Sequence, residues 1–124
     1  MKKKKISPKV RRPLPRASDE MRQWAELLVS EVLLWANTAA RPMFGMTALY
    51  RGRQIFAALP RTRALVSPDS IAFRLLRATE KETLRDPRLT FESPGAKWIS
   101  FEFAGGQDIA DALKWLRRAY RAAR

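Results

Sequence analysis

The stretch from Arg41 to Pro60, RPMFGMTALYRGRQIFAALP, constrains the fold more than any other, because it reads as two paired strands with Arg51-Gly52 at the turn. Met46, Ala48 and Tyr50 face one way and Thr47 and Leu49 the other, while Ile55, Ala57 and Leu59 alternate with Gln54, Phe56 and Ala58. Apolar residues on both faces suit strands inside a sheet that helices cover. Gly52 fits the second central position of a two-residue turn, where φ must be positive. Pro60 has no N–H, so it closes the second strand or lies at an edge.

A helix is expected ahead of the hairpin, from Ser18 as N-cap to about Asn37, with Asp19 and Glu20 in its first turn where negative charge suits the dipole. Met21, Trp24, Ala25, Leu28, Val32 and Trp35 recur at helical spacing and form a core stripe. Leu27, Val29, Leu33 and Leu34 widen that apolar surface, and burial by the domain's own loops is preferred to a partner contact. Thr38 to Pro42 breaks the helix. Beyond Pro60, Ala64-Leu65-Val66 reads as a short strand, and Ser67-Pro68 opens a middle helix with Ile71, Ala72, Leu75 and Leu76 on its buried face. Glu80-Lys81-Glu82 falls at or past its end. Arg88 to Phe91 is a weak strand; Lys97 to Phe103 is a strong one, with Ile99, Phe101 and Phe103 on the core face and Trp98 outside. Trp98 fits packing under a loop or helix better than base stacking. The last helix, about Asp108 to Ala122, sets Ile109, Ala112, Leu113, Leu116 and Tyr120 against Lys114, Arg117, Arg118 and Arg121. Those basic residues lie toward the negative end of the helix dipole, which explains them without a ligand.

The resulting order is α-β-β-β-α-β-β-α, a two-layer α+β domain with helices on one face of an antiparallel sheet. At 124 residues the chain is one domain over 19–124 behind a basic tail over 1–18. That tail holds eight Lys or Arg, three Pro and no acid, so it cannot bury apolar area and is expected to be disordered. It carries +8 of the net +13, leaving +5 on the domain. A solubilising tail and a nucleic-acid contact both account for it.

With no His and no Cys, zinc fingers, thiol nucleophiles and Ser-His-Asp triads are excluded. The 12 Asp and Glu show no recurring spaced pair, and there is no Walker A, G-x-G-x-x-G or EF-hand sequence. No cofactor and no metal site is expected. Gly105-Gly106 before a helix could invite an anion, but Asp108 at that start would repel phosphate, so a plain strand-to-helix turn is preferred. The longest apolar run, Val32 to Ala36, is too short to span a bilayer, and the N-terminus lacks the apolar stretch of a secretory signal. A cytoplasmic protein without membrane insertion is the expectation.

Arg41, Met43-Phe44-Gly45, Leu49-Tyr50, Gly52 and Phe56-Ala57 together resemble the N-terminal domain of the TfoX (Sxy) competence regulators. The order of elements from Met21 onward also resembles that domain and the related YjbR-like proteins. Three departures stand against the pattern. Met46 replaces a frequent second Gly, Arg51-Gly52 replaces an Asp-Gly turn, and the chain lacks the regulators' separate C-terminal domain. The resemblance implies a secretion-chaperone-like fold and a non-enzymatic regulatory or protein-interaction module, with Arg41, Met43, Phe44, Gly45, Tyr50, Gly52 and Phe56 as its motif. An unidentified protein partner is implied, and a homodimer stays open. The charge supports an alternative, direct nucleic-acid binding through Lys2, Lys3, Lys4, Lys5, Arg11, Arg12, Arg51, Arg53, Arg61 and Arg63. A third reading, an enzyme acting on an anionic small molecule, rests on those arginines gathering at one end of the hairpin.

Overall fold

Helix α1 spans Asp19–Val32 and begins as its sequence dictates: Ser18 is extended, and its Oγ accepts the Met21 N–H at 3.1 Å. The computed structural model describes residues 14–75, 85–91 and 98–123. Met21, Ala25, Leu28 and Val32 are buried along one stripe of α1. The helix stops short of Asn37 because Leu34 and Trp35 donate three residues back, to Glu31 and Val32, tightening the last turn. The Thr38 hydroxyl then donates to the Val32 and Trp35 carbonyls, and Asn37 turns the chain with φ 62°.

Among the described residues six strands follow: β1 (Thr38–Met43), β2 (Met46–Arg51), β3 (Gln54–Pro60), β4 (Ser70–Arg74), β5 (Leu89–Phe91) and β6 (Trp98–Glu102). They form one sheet in the order β1-β2-β3-β4-β6-β5, with every neighbouring pair antiparallel. A 3-10 turn at Gly106–Asp108 leads into α2 (Ile109–Ala122). Both helices pack on β3 and on each other, so the domain is a two-layer α+β fold as the pattern requires. Leu49, Phe56, Leu59, Phe73, Ile99 and Phe101 meet Met21, Leu28, Leu116 and Tyr120 in one core. Among the described residues no helix is long and apolar enough to cross a membrane.

The elements between the hairpin and β5 differ from the sequence reading. Thr38 to Pro42, expected to break the helix and lead into the hairpin, belongs to a strand, Thr38–Met43, at the edge of the sheet. Pro42 is compatible with it because an edge strand has one side free of ladder bonds. Ala64-Leu65-Val66 is not a strand, and Val66 is 48% exposed. Ile71 and Ala72 lie in β4 instead of a middle helix, with Leu75 buried just past its end. Ser70 to Phe73 are all buried, the mark of a strand covered on both faces, and such a run shows no alternation to separate it from a helix. Leu76 and the Glu80-Lys81-Glu82 segment lie outside the described residues.

The central hairpin holds, with its turn one residue later than expected. Arg51 pairs with Gln54, so Gly52 and Arg53 are the central residues, and Gly52 at φ 60° takes the first position, as a type II′ turn requires. The register also shifts, from Leu49↔Ala57 to Tyr50↔Ile55, which makes Phe56 an extra residue. This bulge places both Phe56 and Ala57 in the interior.

Residues 14–18, assigned from sequence to the tail, run beside the loop after β3. The Ala17 N–H donates to Thr62 O, Ala64 N–H to Pro15 O, and the Arg63 guanidinium to Leu14 O. Ser18 Oγ donates to the Asp69 carboxylate. Lys2, Lys3, Lys4, Lys5, Arg11 and Arg12 lie outside the described residues.

Candidate functional site

The C-terminal end of α2 meets the β2–β3 turn, and arginines collect there. Arg51, the last residue of β2, reaches the helix end and donates from Nη1 to Tyr120 O at 2.9 Å. Its guanidinium lies 4.4 Å from the Tyr120 ring centroid, so an aromatic face and a helix-end carbonyl, which also accepts the Ala123 N–H at 3.2 Å, both hold it. Tyr120 is fixed in turn, because its hydroxyl donates to Ala36 O at 2.7 Å and its ring contacts Trp35 and Phe56. Arg117 covers Trp35 at 4.7 Å. In front of Arg51 is an open hollow of about 800 Å³ lined by Asn37, Arg51, Gly52, Arg53, Gln54 and Arg121. Three guanidinium groups line it and no carboxylate does. Arg53 and Arg121 are exposed, and Arg51 is half-buried. Among the described residues, Arg51, Arg53, Arg117 and Arg121 have no carboxylate within ion-pair distance.

The other end of α2 is built oppositely. Arg88 makes a two-pronged contact with Asp86, both bonds at 2.9 Å, and reaches Asp108 at 2.8 Å and Asp111 at 3.1 Å. Asp108 also accepts the Ala104 N–H at 2.7 Å. The hydrogen bond from Arg88 holds the Asp86 carboxyl below its usual range against burial. Burial pushes Asp108 up, but the Ala104 N–H and Arg88 outweigh it, and the net shift is down. Arg88 is raised, chiefly by Asp86. The Ala104 amide before α2 is thus taken by Asp108, in keeping with the plain turn read at Gly105-Gly106.

The four hairpin arginines do not gather at one end. Arg51 and Arg53 sit at the β2–β3 turn, whereas Arg61 and Arg63 follow β3, whose length separates the pairs by about 20 Å at ~3.3 Å per residue. This corrects the clustering on which the small-molecule enzyme reading rested. Arg121, read as a helix-dipole residue, joins Arg51 and Arg53 instead. The sequence signal was the placement of Arg117 and Arg121 four apart on α2, which does not by itself say what they face. Asp86, Arg88, Asp108 and Asp111 went unread as a group because their proximity exists only once β5 lies beside α2.

The family-motif residues are mainly architectural. Arg41 on β1 lies 5.6 Å from the Tyr50 ring, Met43 pairs with Met46, Gly52 makes its turn, and Phe56 is core. Phe44 and Gly45 form the β1–β2 turn at φ 50° and 80°, both positive as a type I′ turn requires. Gly45 O accepts the N–H groups of Arg61, Thr62 and Arg63, and a Cβ on Gly45 would lie 2.8 Å from Arg63 Cγ. The tip is therefore clamped, yet Phe44 on it is 82% exposed.

No family model matches the chain, and neither a curated protein nor a solved structure matches it.

Proposed function

We propose that this chain is a cytoplasmic, non-enzymatic regulatory or protein-interaction module of the TfoX N-terminal type, and that Phe44 is its principal contact with a protein partner. One observation carries the reading: a bulky aromatic ring stands 82% exposed at a positive φ, on a turn pinned through the Gly45 carbonyl. A left-handed backbone costs a bulky residue about 1 to 3 kcal/mol, and an exposed ring recovers little of that on folding. A partner's pocket would recover it, and aromatic residues at rigid sites are the usual anchors of interfaces. The α+β sheet with helices on one face is also the architecture that the resemblance implies.

The test separates folding from binding. Phe44→Asn makes Asn-Gly, the turn pair best suited to this geometry, so the variant is expected to melt no lower than wild type and to gain up to about 1 kcal/mol. The same variant should lose a partner captured by the wild-type protein from extracts of its own cells and then rebuilt from purified components. A variant that keeps that partner, or one that melts lower, overturns the role given to Phe44.

A further inference from the structure

We propose that the hollow at the C-terminal end of α2 is a phosphate-binding site, taking phosphate groups carried by a nucleic-acid strand or by a small phosphorylated molecule. The inference is independent of the Phe44 contact, since the β1–β2 and β2–β3 turns lie at opposite ends of β2.

Electrostatics makes the first argument. This chain neutralises Arg88 with three carboxylates, yet it brings Arg51, Arg53 and Arg121 around one hollow with no carboxylate in its lining. Like charges gathered this way repel in the folded state, and an anion reverses the sign of that interaction. The negative end of the α2 dipole, worth about half a charge, opposes an anion there. Three full positive charges outweigh it, and Arg51 already caps the Tyr120 carbonyl.

Geometry makes the second. Arg51 is held by the Tyr120 carbonyl and ring, so one donor of its five is engaged and the group loses little freedom when a ligand arrives. The three guanidiniums come from the end of β2, the turn and the last turn of α2. A carboxylate satisfies one guanidinium fork, whereas a phosphate, with two non-bridging oxygens and one charge in a strand or three and up to two charges in a monoester, presents tetrahedrally placed acceptors to groups arriving from several sides. Nearby aromatic faces are taken: Arg117 covers Trp35, and Arg51 covers Tyr120. A strand bound here would thus be held by its backbone without base stacking, and the site would carry no sequence preference.

The experiment uses the full chain with two probes, pyrophosphate by calorimetry and a short labelled mixed-sequence single strand by fluorescence anisotropy across a salt series. Variants are Arg53→Gln with Arg121→Gln, both at exposed positions, and Arg16→Gln with Arg22→Gln, exposed residues at the opposite end, as control. Loss of two charge-assisted contacts should weaken pyrophosphate binding about tenfold or more in the first pair and leave the control unchanged. The salt slope for the strand should fall by about 1.4, at roughly 0.7 per phosphate contact. Weakening of both probes, or of the strand alone, assigns the site to nucleic acid. Weakening of pyrophosphate alone assigns it to a small phosphate. If the first pair changes neither probe, or if wild type binds neither, the proposal fails. Should the double variant melt lower than wild type, Arg53→Gln alone supplies the reading.

Discussion

The two ends of α2 use the same residue for opposite purposes. The helix has 14 residues, about 21 Å at ~1.5 Å per residue, and an arginine reaches each end, Arg51 from the last position of β2 and Arg88 from the turn before β5. At the N-terminal end Arg88 is ringed by Asp86, Asp108 and Asp111 and lies 4.8 Å from the Phe101 ring, so it ties the start of β5 to the start of α2. At the C-terminal end Arg51 is held by a carbonyl and a ring, while Arg53 and Arg121 add charge without any carboxylate in the hollow. One end has satisfied its charges internally. The other leaves a surplus facing water. The net charge of +13 is therefore not spread evenly, and at the hollow beside α2 it is left without carboxylates in the lining.

The sharpest way to break this contrast is Arg88→Met. With its side chain 30% exposed, Arg88 is worth less than a fully buried partner, but its removal leaves Asp108 and Asp86 without their cation. Unfolding in urea should show a loss of about 2 to 3 kcal/mol. Acid should reproduce part of that loss. Asp86 and Asp108 have folded-state values below the ordinary carboxylate value near 4, so the folded state binds fewer protons than the unfolded one. Their contribution is complete above that value and drains away as pH falls through the lower folded values. Melting temperature against pH should decline more steeply below about pH 4 in wild type than in Arg88→Met; parallel curves would mean the network is not what acid dissolves.

Arg51→Met comes next, at about 1 kcal/mol, since one charge-assisted hydrogen bond and one ring contact are lost while the Tyr120 carbonyl keeps the Ala123 N–H. A loss equal to that of Arg88→Met would show that the two ends are fastened alike. The smallest effect is expected from Arg53→Gln with Arg121→Gln, within about 0.5 kcal/mol and on the stabilising side at low salt, where repulsion is least screened. Clear destabilisation there would mean these arginines hold the fold.

The parts of this architecture that local chemistry encodes were legible. Ser18 as N-cap, the stripe of α1, the hairpin, β6 and the bounds of α2 all follow from caps and periodicity. β4 was not, because Ser70 to Phe73 are buried on both faces and so lack the alternation that distinguishes a strand. β1 was not, because Ala39, Ala40, Arg41 and Pro42 have little strand preference, and it is the register with β2 that extends them. Within the candidate site, Arg51 and Arg53 were legible as basic turn residues. Their distance from Arg61 and Arg63 was already implied by Pro60 closing β3, since one strand must separate them. Arg121 was hidden by a sufficient local explanation, its fit to the helix dipole, and only the meeting of α2 with the β2–β3 turn gives it a second role.

The sheet's strand order also decides where a strand from another chain could add. Its two borders are β1 and β5, and either could in principle accept a strand from another chain and seed aggregation. At β5 the described residues, Leu89–Phe91, give three positions for such pairing. β1 is six residues long and mostly exposed, but Pro42 removes an N–H from its backbone and Arg41 adds charge beside it. The residues that made this segment unrecognisable as a strand are thus the ones that make its border a poorer template for another.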